Sequence, residues 1–304
     1  MNLTPEMFQP VQANPSAAET IARPSTTYWQ DAWRRLKQNR LAMAGLYTII
    51  ILIILAIFGP LFTNYSYSQQ DLMAANQAPG AKFLLGSDSL GRDLLTRLLY
   101  GARISLLVGI VTSIITLVIG VLYGGISGFI GGKVDEIMMR IVEILWAIPF
   151  LLYVILLMVV LGPGLKTIFI ALGVVYWMGM ARIVRAEILS LKEREYVLAA
   201  QVLGASPWRI LWRHLIPNAM GPIIIQMTLA IPEAIFTEAF LSFLGLGVSA
   251  PMASWGVLAN DGMAGIRSYP WQIFFPAVMI TVTMLAFNFL GDGLRDALDP
   301  KMRK

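Results

Sequence analysis

Six stretches of this chain are apolar for about 20 residues each, the length an α-helix needs to cross the hydrocarbon core of a bilayer. They are Leu41–Phe62, Ile104–Ile130, Ile141–Leu161, Thr167–Val184, Ala219–Leu246 and Ile273–Leu290. The expected fold is therefore an all-α integral membrane protein with six transmembrane helices. The second run carries Gly120-x-x-x-Gly124 and Gly124-x-x-x-Gly128 spacings, which let two helices approach closely; these glycines are read as packing residues.

The basic residues collect at the ends of the apolar runs. Arg34, Arg35, Lys37 and Arg40 precede the first run, Arg295, Lys301, Arg303 and Lys304 follow the last, and six more lie between Arg182 and Pro217. Six crossings put all three clusters on one side, and excess Lys and Arg mark that side as cytoplasmic. The net charge of +5 is thus a topology signal and not a nucleic-acid footprint. Charged residues are 13% of the chain, half the share of an ordinary soluble domain, which is roughly a quarter. With no cysteine and one histidine, a disulfide framework, a thiol nucleophile and a histidine metal cluster are all excluded.

Between Arg182 and Pro217 the apolar pattern breaks into RIVRAEILSLKEREYVLAAQVLGASPWRILWRHLIP. Good helix formers run from Glu193 through Glu195 to Leu203, and Gly204 stands where a left-handed cap residue is expected. Ser206 and Pro207 are an N-cap and first-turn pair, opening a second helix expected to stop before Pro217. Tyr196, Val197, Leu203, Trp208, Leu211 and Trp212 are too apolar for a loop that meets only water. A helix–turn–helix of this kind on the inner side of a membrane protein is a docking element for a soluble partner.

Ala199-Ala200, three residues, Gly204 and the ending His214 to Pro217 resemble the "EAA" loop of ATP-binding-cassette importer permeases. The chain departs from the general pattern in having Leu198 before the two alanines; in the similar peptide-transporter branch Glu195 lies three residues ahead. Further stretches resemble the peptide-transport branch of that family: LLGSDSLGRDLLTRLLYGARISL before and into the second run, FLSFLGLGVSAPMASWGVLANDG after the fifth, and FNFLGDGLRDALDPK at the end. The resemblance implies the type I importer permease fold with a cytoplasmic coupling helix. It implies a permease subunit that forms part of an oligopeptide pathway in a bacterial inner membrane, crossed several times with both termini inside. The implied partners are a second homologous permease, two ATP-binding subunits, an extracytoplasmic substrate-binding protein, peptide cargo and membrane lipid. ATP and Mg would belong to those ATP-binding subunits, with no cofactor on this chain. Its coupling residues would be Glu195, Tyr196, Ala199, Ala200, Gly204, Ser206, Pro207, Arg209, His214 and Pro217.

The sequence independently lacks a G-x-x-x-x-G-K-[ST] phosphate loop: Gly132-Lys133 is followed by Val134 and has no upstream glycine in register. ATP hydrolysis by this chain is therefore not expected. The rival from another class is a stand-alone secondary transporter, but the expected internal repeat is not evident. The same machine carrying dipeptides, nickel or glutathione stays open, because the motifs do not separate cargoes.

Ionisable groups inside apolar runs are functional candidates by default. Glu143, Glu233 and Glu238, with Pro149 and Pro232 nearby, are candidates for lining a path or for bonding to a neighbouring helix. Glu233 and Glu238 are five positions apart, roughly 500° around a helix, so they are expected to point in different directions.

The expected organisation is a disordered cytoplasmic arm over 1–27, an interfacial amphipathic helix over 28–40, a first transmembrane helix over 41–62 and an external segment over 63–100. A transmembrane core over 101–292 follows, with its coupling loop at 186–217, then a cytoplasmic tail over 293–304. Trp29, Trp33 and Leu36 are expected on one face of the interfacial helix. The first apolar run is full span length and is expected to stay as an anchor rather than be cleaved.

Overall fold

In the computed structural model, which describes residues 27–299, all regular elements are helical. Five helices are long and apolar enough to cross a membrane, and a bent helix pair makes a sixth if counted as one span. The expected arm over 1–27 and the end of the tail lie almost wholly outside the described residues.

Helix α1 (Tyr28–Gln38) opens with a capping box, in which Thr27 and Gln30 satisfy each other's backbone N–H groups. Ala32 and Leu36 are buried, whereas Trp29 and Trp33 are about half exposed. Leu36 belongs to a docking face that joins Ala42 and Ala297, while the two tryptophans are left beside it. The Tyr28 hydroxyl donates to the Leu298 carbonyl at 3.1 Å, tying the two ends of the described chain together.

Helix α2 (Arg40–Phe58) is the first span. After short turns, α3 (Leu94–Ile130) runs for 37 residues, about 55 Å at the usual rise. That exceeds a bilayer core of roughly 30 Å, so α3 projects beyond it. Asp93 caps this helix by accepting the Thr96 N–H at 2.7 Å, ten residues ahead of the start the apolar run suggests. The reason lies in the charges of that first stretch. Arg97 is buried against Asp88, and Arg103 donates to the carbonyls of Ala56 and Ile57 at the end of α2, so polar residues occupy a helical segment.

The third apolar run is not one helix. It divides into α4 (Gly132–Trp146) and α5 (Phe150–Leu161), bent by 80°. Pro149 causes the break: it is extended at ψ 131°, it has no N–H, and it disfavours a helical residue before it. The Tyr153 hydroxyl donates to the Leu145 carbonyl at 2.8 Å, adding to the Ile148 N–H at 3.3 Å where Pro149 has no N–H to give. Pro232, by contrast, sits buried inside a helix that stays continuous.

Helix α6 (Leu165–Lys192) packs along α3, and the glycines of α3 permit it. A Cβ on Gly124 would run into the Ala181 backbone carbonyl, and one on Gly128 would lie 2.8 Å from the Arg185 carbonyl oxygen. The close approach predicted from the glycine spacing is therefore real. Helices α7 (Glu195–Val202), α8 (Pro207–Ile210) and α9 (Ile216–Asn218) form the polar interruption, with a π-helical turn over Leu211–Leu215. Then α10 (Met220–Phe243), α11 (Trp255–Met263) and α12 (Trp271–Leu298) complete the bundle. Trp255 is fully buried, its indole N–H donating to the Leu98 carbonyl near the start of α3 at 3.0 Å.

Candidate functional site

The polar interruption is a built element with a rigid base. Val197, Ile210, Leu211 and Leu215 are almost fully buried and join Met180, Val184 and Ile188 of α6 in one apolar cluster. Two polar contacts fasten the Lys192 end of α6 beside it. The Arg185 guanidinium grips Asp135 at the start of α4, which also accepts from the Ser127 hydroxyl of α3. Lys192 donates to the Phe129 carbonyl at 2.7 Å. The base of the loop, α3, α4 and α6 are thus joined by direct contacts.

The reversal between α7 and α8 has the geometry that the sequence predicts. Gly204 adopts φ +79°, its N–H donates to Gln201 at 2.9 Å, and the Ala205 N–H reaches back to Ala200 at 3.0 Å. That pair of bonds is a Schellman motif, and Ala200 and Ala205 both pack against the apolar base of the loop. Ser206 then accepts the Arg209 N–H at 3.4 Å, with Pro207 in the first turn of α8.

One correction concerns Pro217. The second loop helix does not stop before it; the chain continues helically through Ile216–Asn218 toward α10. The π-helical turn makes this feasible, because the Ile216 N–H bonds to Leu211, opening the ladder just where proline would disrupt it. His214 sits half-buried on this turn, its carbonyl accepting from Asn218 at 2.6 Å.

Outward, the loop is apolar. Val202 and Leu203 are 88% and 87% exposed, and Leu198, Trp208 and Trp212 are also open. Glu195, Tyr196, Ala199 and Arg209 surround them in exposed positions. Burial of its ring side raises the Tyr196 hydroxyl above the usual tyrosine value, with Arg194 opposing. Exposed apolar side chains gathered on one loop are of the kind that mark an interaction site.

The three carboxylates of the apolar runs separate in role. Glu143 makes an exposed pair with Arg140 at 2.8 Å, three residues away. Glu238 is completely buried, accepting the Ser242 hydroxyl at 2.6 Å, and it stands beside Ser254, which caps α11. It is a packing residue between α10 and α11. Glu233 instead opens on a cleft of about 360 Å³ among α3, α4, α5, α6 and α10, with Thr116, Trp146, Tyr176, Gln226 and Thr237. The expectation that Glu233 and Glu238 point apart holds.

Sequence reasoning missed an ionic cluster on the face opposite the loop. Asp88 accepts Arg92 at 2.6 Å, Arg97 and two backbone N–H groups, while Asp261 approaches both arginines at 3.4–3.7 Å. The i,i+4 spacing of Asp88 and Arg92 was a local signal, but the partner 164 positions away in sequence left none.

Comparison with known proteins places the chain. Residues 116–304 match the model of the binding-protein-dependent transport system inner membrane component. Residues 27–79 match the N-terminal TM domain of oligopeptide transport permease C. The oligopeptide transport system permease protein OppC of Bacillus subtilis is 54% identical over 303 residues, covering 100% of this chain and 99% of that one. The dipeptide transport system permease protein DppC of the same organism is 55% identical over 98% of this chain and 94% of that one. OppC of Escherichia coli is 48% identical over 94% and 95%. Among solved structures, an inward-facing MetNI methionine ABC transporter chain superposes with a TM-score of 0.55 at 20% identity, over 68% of this chain and 96% of that one, a likeness of fold.

Proposed function

This chain belongs to the family of binding-protein-dependent transport system inner membrane components, and we propose that it is the permease subunit of an ATP-driven oligopeptide importer. The observation that carries this reading is the bare apolar surface of Val202, Leu203, Trp208 and Trp212 on a loop locked to three membrane helices. Such a surface suits a helix-in-groove contact with a soluble subunit.

Two ATP-binding subunits would seat the loops of this chain and of a second, homologous permease. Both termini would lie on that cytoplasmic side of a bacterial inner membrane. When the ATP-binding subunits close, the loop moves as a rigid piece, and Arg185 and Lys192 carry that movement into α3, α4 and α6. The cleft beside Glu233 then faces outward, where a substrate-binding protein delivers peptide; hydrolysis in the partner subunits lets it face inward again. Gly204, Ser206 and Pro207 set the angle of the loop helices. Glu195, Tyr196, Ala199, Ala200, Arg209, His214 and Pro217 flank or underlie the contact.

The dipeptide reading stands beside the oligopeptide one because the two Bacillus subtilis relatives are nearly equally similar. The match of the first 27–79 segment to an oligopeptide permease domain favours oligopeptides.

The purified chain alone is expected to show no ATP hydrolysis. Assembled with a partner permease and the ATP-binding subunits, it should support hydrolysis stimulated by peptide-loaded binding protein. Hydrolysis by the isolated chain that survives stringent purification would contradict the proposal.

A further inference from the structure

The cleft beside Glu233 carries more than a path. Its lining, among the described residues, includes one acidic side chain, Glu233, and no basic one. Tyr176 and Thr237 hold each other at 2.6 Å, and the Tyr176 hydroxyl also lies 3.5 Å from the Glu233 backbone carbonyl. This fixes the wall around the carboxylate without engaging it. No hydrogen bond or ion pair satisfies the Glu233 carboxylate among the described residues, whereas Glu143 has Arg140 and Glu238 has Ser242. Trp146 also lines the cleft, and the Arg182 guanidinium lies over its ring at 4.8 Å.

A carboxylate within a membrane-spanning helix is costly to keep charged without a partner. The other two candidates have partners of their own, so an open one in a cleft invites a transient cation. We propose that Glu233 is a charge-reading residue of the translocation path, taking the side-chain ammonium of a lysine in a passing peptide. Tyr176, Thr237 and Gln226 supply hydroxyl and amide oxygens for its remaining N–H donors. The site therefore favours cationic cargo over acidic cargo at the membrane step. This rests on the permease reading above.

The test uses the complete complex in liposomes, with the binding protein in excess, and three peptides equal in length that differ at one internal position: lysine, norleucine or glutamate. Every peptide has the same α-ammonium group, so its contribution cancels in the ratio of their uptake rates. Affinity of the binding protein for each peptide is measured separately and divided out. In the native complex the lysine peptide is expected to pass faster than the glutamate peptide. Glu233→Gln should cut that ratio by about tenfold, and Glu233→Asp should preserve most of it. An equal fall for all three peptides, or an unchanged ratio, would overturn the proposal, since a structural role lowers every peptide alike. A native complex that moves none of the three, while its ATP-binding subunits are active, would instead count against the peptide-importer reading itself.

Discussion

Replacing Gly124 with leucine is expected to deplete this chain from the membrane. Gly124 lies where α3 crosses α6, and a Cβ there would collide with the backbone carbonyl of Ala181 and approach its carbon at 2.9 Å. Backbone cannot rotate away as a side chain can, so the two helices must separate along their whole contact. Forced overpacking typically costs about 1–3 kcal/mol, and a collision with backbone belongs at or beyond the top of that range. The neighbouring glycine gives the contrast. At Gly125 a Cβ would meet only Ile216 and Leu211 methyl carbons at 3.7 and 3.8 Å, an ordinary contact. Gly125→Ala should therefore accumulate normally while Gly124→Leu is degraded. Immunoblots of membranes from cells expressing each variant decide it, and equal abundance of the two would show that the α3–α6 contact is more compliant than the geometry implies.

Gly204→Val should do the reverse, sparing abundance and removing transport. Nothing lies within 4 Å of a Cβ at Gly204, so the obstacle is conformational: φ +79° is a left-handed position. Such a residue costs roughly 1–2 kcal/mol for an ordinary side chain, and a β-branched one is worse placed. The loop relieves that cost by turning differently, which swings Trp208 and Trp212 away from Val202 and Leu203. Six packed membrane segments do not depend on the turn, so insertion is expected to be normal while ATP-driven peptide uptake and co-purification of the ATP-binding subunits fall. Alanine should be milder. Asparagine, which tolerates positive φ, should retain most uptake. Wild-type uptake by Gly204→Val at equal abundance would show that the turn does not set the docking surface.

The loop was legible because its determinants are local. A cap glycine, a serine N-cap and a proline act within a few residues, so Gly204, Ser206 and Pro207 fall where the chemistry of each residue puts them. The spans were legible for the same reason, and the glycine spacing of α3 announced a close neighbour. What stayed hidden depends on distant partners. The first turns of α3 looked polar because Arg97 and Arg103 find their acceptors in Asp88, Asp261 and the end of α2. Asp135 and Arg185 are 50 positions apart and gave no pattern. The break at Pro149 and the helical passage through Pro217 show the limit of reading proline alone. One proline bends a helix by 80° and another is accommodated by a π-helical turn, and the difference lies in which neighbouring carbonyls find another donor. The distinct roles of Glu143, Glu233 and Glu238 likewise required the neighbours of each to be in place.

The central claim is that the exposed apolar face of the loop seats an ATP-binding subunit. This chain has no cysteine, so Leu203→Cys introduces a single reactive thiol where the native side chain is 87% exposed. Treating membranes that hold the assembled complex with a short thiol cross-linker, against an ATP-binding subunit bearing one engineered cysteine in its docking groove, measures that contact directly. The account predicts a cross-linked pair of this chain with the ATP-binding subunit, whose yield falls when Gly204→Val is added. A complex that transports peptide normally yet gives no such pair from Leu203→Cys, at any groove position tried, would contradict it.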